Sequence, residues 1–227
     1  MPDGRGLALW RFPGANRDTL NGATYLHEIY TRAAPAYTGR ATVPVLWDKQ
    51  RQTIVNNESA DIIRMLNGSF GELGNNIDFY PPDLRAEIDA LNKPIYRKLN
   101  NGVYRAGFAS TQQAYEEAVW GVFEMIDESE QRLTGRSFLF GDRLTETDIR
   151  LFVTLVRFDA AYYGLFKCNL RRVIDCPNLT AYLRRIMIIP GVRETVNIEH
   201  IKLGYYSIKA LNPTGIVPLG PEPLLPG

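Results

Sequence analysis

The chain has 227 residues, of which 45% are hydrophobic and 22% charged, a profile that argues against wholesale disorder, a collagen-like repeat or a coiled coil. Lysine and arginine together number 26 against 25 acidic residues, so no surplus of charge favours nucleic acid or an anionic membrane as a partner. Two cysteines, Cys168 and Cys176, are too few for a disulfide framework and fit no zinc-binding spacing, which favours a reducing compartment.

The first third of the chain is predicted to contain short helices and short strands. Residues 1–4 lack the charged and apolar regions of a signal peptide, so we predict a cytoplasmic protein. Residues 1–24 predict irregular chain, in which Trp10 has a packing role. A helix follows over 25–33, then two strands over 42–48 and 53–55 joined by a polar turn, then a helix over 60–66 that residues 56–59 can cap. Pro44 cannot donate to a strand ladder, which places it at a sheet edge, a bulge or a cis turn.

From residue 84 to about residue 206, apolar residues recur at helical spacing and predict a helical bundle. The clearest helix start is at residues 144–149, where Thr145 and Asp148 can form a capping box. In the helix that follows, the spacing places Phe152 and Val153 on the core face and Arg157 off it. Five of the fourteen prolines fall in residues 212–227, so this tail is predicted to be extended or free of the surface.

A hairpin holding Val-Pro, a helix opening with Glu-Ser and an all-helical half with a Thr-x-x-Asp box resemble the layout of glutathione transferases. Several blocks narrow the resemblance to the glutathionyl-hydroquinone reductases, the Xi-class branch; they are Thr-Val-Pro-Val-Leu-Trp-Asp (42–48), Asn-Glu-Ser-Ala (57–60), Asn-Asn-Gly-Val-Tyr (100–104), Ala-Gly-Phe-Ala (106–109), Leu-Val-Arg-Phe-Asp (155–159), Phe-Lys-Cys (166–168) and Asn-Pro-Thr-Gly-Ile (212–216). The implied fold class is α+β, mostly α. It comprises a partial thioredoxin-like portion over 1–82, an all-helical domain over 83–211 and the Pro-rich tail over 212–227.

The resemblance implies removal of glutathione from a glutathionyl-hydroquinone by a thiolate, with glutathione as co-substrate and quinone-derived aromatic conjugates as partners. Members of that family carry a Cys-Pro-Trp-type motif on a first strand and helix, and this segment does not occur in the 227 residues. We therefore expect the nucleophilic cysteine to be missing and this chain alone to be inactive. Two explanations stay open: a start internal to a longer reductase, or a truncated paralogue that binds glutathione or dimerises without catalysis. A homodimer through the helical domain is also implied.

The same resemblance assigns the site residues. Val43 and Pro44 would form a cis peptide that turns the Val43 backbone toward the cysteinyl part of glutathione, the alternative being an ordinary edge-strand proline. Glu58 would pair with the γ-glutamyl ammonium and Ser59 with its carboxylate at a helix start, the alternative being a plain cap. Tyr104 and Tyr205 would donate hydrogen bonds to the oxygen of the aromatic substrate.

The remaining reactive residue types are weaker candidates. Tyr115 and Tyr206 are second choices for substrate contact. Cys176 precedes a proline and could lie at a helix start, but it and Cys168 are predicted to be buried, inert thiols. The only histidines, His27 and His200, have no acid or nucleophile at meaningful spacing, so a surface or packing role is predicted and no metal site.

Overall fold

The structure is a computed structural model that describes residues 18–75 and 77–222. Trp10 and most of the predicted irregular start lie outside the described residues. The chain divides between Asp78 and Phe79 into two compact units, here called the N-terminal unit and the C-terminal unit. The predicted domain limits of 1–82 and 83–211 stay predictions, and the two units are described separately.

The described part of the N-terminal unit contains two α-helices, one hairpin and a short 3-10 helix over Gly71–Leu73. In chain order its elements are α1 (Leu26–Ala33), β1 (Leu46–Asp48), β2 (Thr53–Asn56) and α2 (Ser59–Gly68). The strands pair antiparallel, with Trp47 opposite Ile54. Asp48 closes the turn because its Oδ1 accepts hydrogen bonds from the amides of Gln50 and Arg51 at 2.8 and 2.9 Å. The predicted hairpin is confirmed, with a first strand that begins only after Pro44, a residue that has no amide proton to donate.

The C-terminal unit is helical, as the periodicity predicts. Its α-helices are α3 (Arg85–Pro94), α4 (Gly102–Gly107), α5 (Gln112–Arg132), α6 (Glu146–Arg157), α7 (Pro177–Met187) and α8 (Ile198–Tyr206), and π-helical segments follow α3 (Ile95–Asn100) and α6 (Phe158–Tyr162). One apolar core joins these helices, with Ile95, Leu151 and Leu179 fully buried in it. The whole is an α+β fold that is mostly α.

Side chains of the C-terminal unit donate hydrogen bonds to backbone carbonyls of residues 212–222 and hold this part of the tail in place. The Lys202 ammonium on α8 donates to the carbonyls of Leu219 and Gly220, at 2.7 and 3.2 Å. Arg172 donates to the carbonyl of Glu222 at 3.0 Å. This part of the tail therefore lies on the unit rather than free of it. In the described part of the chain, no helix is both long enough and apolar enough to cross a membrane.

The capping box predicted at the start of α6 is present. The backbone amide and the hydroxyl of Thr145 both donate to Asp148 Oδ2, at 2.8 and 2.9 Å, and the Leu139 amide donates to Oδ1 at 2.9 Å. Burial raises the pKa of the Asp148 carboxyl, although the hydrogen bonds from Leu139 and Thr145 oppose that rise. The carboxyl group thus joins the helix start to the loop before it.

Asp148→Ala is expected to lower the free energy of unfolding by about 2 kcal/mol, because two buried amides lose their acceptor. Urea unfolding followed by circular dichroism measures the loss. Asp142→Ala is the matched control, since Asp142 is an exposed carboxylate of the same loop that accepts only from Ser137 among the described residues. Equal effects of the two substitutions would contradict the role given to the box.

Candidate functional site

Two groups of predicted site residues lie in different units. The first is in the N-terminal unit, around Thr42. The Tyr30 hydroxyl of α1 donates to the Thr42 carbonyl at 2.6 Å, and the Thr42 amide donates back to that hydroxyl at 3.2 Å. The Asn57 side-chain amide donates to Thr42 Oγ1 at 3.1 Å. Thr42 precedes Val43 and Asn57 precedes Glu58, so these bonds bring the two predicted glutathione-binding pairs together.

Val43 and Pro44 lie on an exposed bend before β1. Their peptide bond is cis, as the resemblance predicted. The Val43 side chain is 71% exposed. Within the described residues the Val43 amide and carbonyl form no hydrogen bond, so both can pair with an extended ligand backbone.

Glu58 and Ser59 stand at the start of α2, with Glu58 as the N-cap residue. The Glu58 side chain forms no capping hydrogen bond, which removes the plain cap as the reason for a glutamate there. Its backbone amide is instead fixed by Asn56 Oδ1 at 2.7 Å. In the described structure the amides of Ser59 and Ala60 have no acceptor, and amides at a helix N-terminus attract a carboxylate.

The second group is a set of three tyrosines in the C-terminal unit, Tyr104, Tyr162 and Tyr205, which we call the tyrosine cluster. The Tyr205 hydroxyl lies 2.8 Å from that of Tyr104 and 2.6 Å from that of Tyr162. Tyr104, on α4, is 37% exposed, whereas Tyr205, on α8, is 6% exposed and Tyr162 is fully buried. The hydroxyl chain thus runs from the core to a surface residue.

Aromatic rings hold the cluster in place. The Phe166 ring centroid lies 5.3 Å from that of Tyr104, 5.2 Å from that of Tyr162 and 5.8 Å from that of Tyr205. Phe108 packs edge-on against Phe166 at 5.8 Å. Ring pairs at these separations contribute about 1 kcal/mol each beyond burial of their surface. The site is therefore an apolar surface formed by aromatic rings, with the tyrosine hydroxyl groups on one side of it.

Arg157 adds a positive charge to this site. Its guanidinium carbon lies 5.9 Å from the ring centroids of both Tyr162 and Tyr205. The prediction that Arg157 points away from the core face was wrong. It is the last residue of α6, and its Nε donates to the Val153 carbonyl at 2.5 Å, which lays the side chain back along the helix and onto the rings. Val153, predicted on the core face, is exposed.

Burial and charge oppose each other in the cluster. Burial raises the pKa of Tyr162 and of Tyr205 above the ordinary phenol value, and the Arg157 guanidinium acts to lower both. Burial alone would lower the pKa of Arg157, but the three tyrosines outweigh it and the pKa of Arg157 is raised. The arginine therefore stays charged beside neutral hydroxyls, an arrangement that favours negative charge on a bound oxygen.

The two thiols are both in the C-terminal unit and both buried. Burial raises the pKa of Cys168 to about 12. Burial also raises the pKa of Cys176, the N-cap residue of α7, although Arg171 opposes that rise. A thiol that stays protonated is a poor nucleophile, so neither cysteine has the environment of an attacking thiolate.

The other candidates lie elsewhere. The Tyr115 hydroxyl donates to the Lys167 carbonyl at 2.6 Å, and the Tyr206 hydroxyl lies beside Gly164 rather than in the cluster. The His27 ring stacks on Tyr25, and the His200 amide donates to Asn197 at the start of α8. Tyr162 was not predicted as a site residue, because the partner of its hydroxyl group, Tyr205, is 43 residues away in the chain.

Comparison with known protein families finds a match in each of the two units. Residues 18–68 match the family profile described as glutathione S-transferase, N-terminal domain, and residues 112–185 match the profile of the C-terminal domain. The fold of the two units is thus that of a glutathione transferase.

Individual relatives identify a narrower group within the glutathione transferases. The chain is 54% identical to glutathionyl-hydroquinone reductase PcpF of Sphingobium chlorophenolicum, over 96% of this chain and 71% of that protein. It is 53% identical to glutathionyl-hydroquinone reductase YqjG of Escherichia coli, over 92% of this chain but 65% of that protein. The glutathione-bound structure of YqjG covers 98% of this chain and 74% of its own, with a TM-score of 0.92 at 51% identity. The Xi transferase of Phanerochaete chrysosporium covers 94% and 70%, with a TM-score of 0.90 at 50% identity. The chain belongs to the glutathionyl-hydroquinone reductase family of Xi-class glutathione transferases.

Proposed function

We propose that the chain binds S-glutathionyl-hydroquinones for their glutathione-dependent reduction. In that reaction a thiolate attacks the thioether sulfur, the ring carbon takes a proton and leaves as the hydroquinone, and a mixed disulfide forms. A second glutathione then resolves the disulfide and leaves as oxidised glutathione. The observation that carries the proposal is the tyrosine cluster, in which the hydroxyl of the partly exposed Tyr104 lies 2.8 Å from that of the buried Tyr205, beside the ring of Phe166.

The tyrosines serve the aromatic part of the conjugate. Tyr104 donates a hydrogen bond to an oxygen on the ring of the conjugate. Tyr205 donates either to the same oxygen or to the Tyr104 hydroxyl. A neutral phenol suits this task because it offers a proton to an oxygen that gains negative charge as the C–S bond breaks. The half-exposed position of Tyr104 and the buried position of Tyr205 support this order.

The N-terminal unit serves the glutathionyl part. Val43 and Pro44 present backbone to the cysteinyl residue, Ser59 and the unpaired amides of α2 bind the γ-glutamyl carboxylate, and Glu58 pairs with the ammonium. The hydrogen bond between Asn57 and Thr42, which joins these segments, supports the assignment. Glutathione-bound structures of YqjG and of the Saccharomyces cerevisiae Xi transferase ECM4 support glutathione as the ligand.

The state of the thiols favours a second candidate function for this chain alone, binding of glutathione conjugates without turnover. Both cysteines are buried with raised pKa values, so the thiolate that the reaction needs is not supplied by Cys168 or Cys176. The prediction that the nucleophile is missing from these 227 residues remains a prediction.

Calorimetric titration with the glutathione conjugate of menadiol tests the proposal. We expect binding, and for Tyr104→Phe about a tenfold rise in Kd, because one hydrogen bond to a partly charged oxygen is lost. Tyr96→Phe is the matched control, since Tyr96 is an exposed phenol of the same unit. Wild-type protein that fails to bind the conjugate would contradict the proposal. Release of glutathione by the chain alone would overturn the second candidate.

We also propose a cytoplasmic homodimer that associates through the C-terminal unit. The resemblance supports it, and so does Trp120 on α5, a large apolar side chain that is exposed in the single chain. Sedimentation analysis of the chain and of Trp120→Glu tests the assembly. A wild-type monomer at micromolar concentration would contradict it.

A further inference from the structure

The dipeptide Asn-Gly occurs three times in the chain, at residues 21–22, 67–68 and 101–102. Such a pair is chemically labile, because glycine has no side chain to shield its backbone nitrogen from the asparagine beside it. That nitrogen can attack the asparagine Cγ atom, so that ammonia leaves and a succinimide ring closes. Water then opens the ring to aspartate or to its β-linked isomer, isoaspartate. Whether a given pair reacts depends on the freedom of the backbone around it.

Helices hold two of the three pairs. Asn67 and Gly68 are the last two residues of α2, and Gly102 is the buried first residue of α4. Ring closure requires rotation about the Cα–C bond of the asparagine, which brings the next backbone nitrogen to its side chain. A helix fixes this rotation, and Asn101 has a helical ψ of −25°. Both pairs are therefore protected as long as their helices persist.

The third pair, Asn21 and Gly22, lies in the turn before α1 and outside any helix. Gly22 has a φ of +66° and is exposed. Among the described residues, its backbone nitrogen donates to no acceptor. A Cβ atom placed on Gly22 would meet nothing within 4 Å, so the space around it is open. The nucleophile of this pair is thus free of both a hydrogen bond and a steric barrier.

Two charged side chains hold Asn21 in this turn. The Arg32 guanidinium on α1 donates from Nη1 to Asn21 Oδ1 at 3.2 Å. That oxygen gains negative charge when a nitrogen attacks Cγ, so a cation beside it stabilises the intermediate. Asp18 accepts from the Asn21 amide at 2.9 Å and from the Ala23 amide at 3.2 Å. The amide between these two, that of Gly22, is left unbonded.

We propose that Asn21 is a site of spontaneous deamidation in the folded protein and that Arg32 promotes the reaction. The Gly22 nitrogen gives its proton to solvent and bonds to Asn21 Cγ. The bond from Cγ to the side-chain nitrogen breaks, and that nitrogen takes a proton from water and leaves as ammonia. Addition of one water molecule opens the succinimide. Where aspartate forms, its carboxylate replaces the amide beside Arg32 and pairs with the guanidinium. The inference does not depend on the proposed function.

The test compares the three pairs in folded and in unfolded protein. The chain is kept in mildly alkaline buffer with and without urea and then digested, and mass spectrometry and an isoaspartate assay follow each peptide. In the folded protein we expect Asn21 to react about tenfold faster than Asn67 or Asn101, because their helices must open first. In urea we expect the three rates to agree within about threefold, since glycine follows each asparagine and no helix remains.

Variants test the parts of the site. Asn21→Gln keeps an amide but would need a larger ring, so it is expected to abolish the reaction at this position. Arg32→Gln is expected to slow the reaction of Asn21 about threefold in the folded protein and to leave it unchanged in urea. Arg40→Gln is the matched control, since it removes the same charge from an exposed position of the same unit. It is expected to leave the rate unchanged in both conditions.

The folded protein decides the inference. A folded chain in which Asn67 or Asn101 reacts as fast as Asn21 overturns it, and so does a chain in which Asn21 reacts only in urea. An unchanged or faster reaction of Asn21 in Arg32→Gln protein, with normal thermal unfolding, contradicts the role given to the guanidinium. Because the measurement uses neither glutathione nor a conjugate, its result is separate from that of the test of the proposed function.

Discussion

Replacing Gly107 by alanine is expected to lower the free energy of unfolding by about 3 kcal/mol and to abolish binding of the proposed glutathionyl-hydroquinone ligand. A Cβ atom at this position would lie 2.5 Å from Cγ of Phe166 and 2.9 Å from its Cβ, closer than such atoms can approach. Phe166 is fully buried. It cannot move aside without displacing the tyrosine rings packed on it, so the strain passes directly to the hydroxyl chain.

Gly121→Ala is the matched control for this prediction. Gly121 lies inside α5, and a Cβ there would meet only Lys98 Cγ, at 4.0 Å. Alanine favours a helix interior over glycine by about 1 kcal/mol, so this variant is expected to be as stable as the wild type or more so. Urea unfolding and calorimetric titration with the glutathione conjugate of menadiol measure both variants. Similar behaviour of the two alanine variants would show that close packing at Gly107 does not hold the cluster.

Local signals in the sequence were sufficient for the hairpin and for the start of α6. The hairpin followed from two β-rich runs around a polar turn, and α6 from the Thr145 and Asp148 capping box, because both depend on residues close together in the chain. The ends of elements were less accurate. The helix predicted over 60–66 runs from Ser59 to Gly68. It begins one residue earlier than predicted because its N-cap residue is Glu58, although the Glu58 side chain forms no capping hydrogen bond.

The site depends on contacts that no local pattern contains. Tyr104 and Tyr205 are 101 residues apart, and in the sequence only the resemblance to a family pairs them. Tyr162 looked like any other core aromatic residue. Arg157 was misplaced because helical periodicity gives the direction of a Cα–Cβ bond, whereas a long side chain at the last residue of a helix can fold back along it.

The N-terminal site shows the same limit. The sequence indicated Val43 and Glu58 as separate points on a bend and a helix start. The structure joins them through the side chains of Asn57 and Thr42 and through the Tyr30 hydroxyl. Asn57 lies in a block that matches the family, which was the available signal, but a hydrogen bond across fifteen residues could not be derived from spacing.

Raising the pH from 9 toward 12 is expected to unfold the C-terminal unit. Burial raises the pKa of Cys168 to about 12 from an ordinary 9.0, and burial raises the pKa of Tyr162 and Tyr182 well above the ordinary phenol value. The unfolded chain therefore releases these protons at lower pH than the native one. Their contribution to stability is complete below about pH 9 and is lost as the pH rises, and Cys168 alone accounts for about 4 kcal/mol by pH 12.

Helical circular dichroism and phenolate absorbance, followed together against pH, measure this transition. We expect the final part of the phenolate signal, which comes from the buried phenols, to appear at the pH at which the helices are lost, because those phenols ionise only when the unit opens. Cys168→Ala and Tyr182→Phe each remove one such group, so each is expected to make the fall of unfolding free energy with pH less steep, whatever its effect at pH 7. Phenolate absorbance that reaches its full value while the helices persist would mean that the phenols of the cluster ionise in the folded protein. That result would contradict the part given to these buried groups in the loss of stability at high pH.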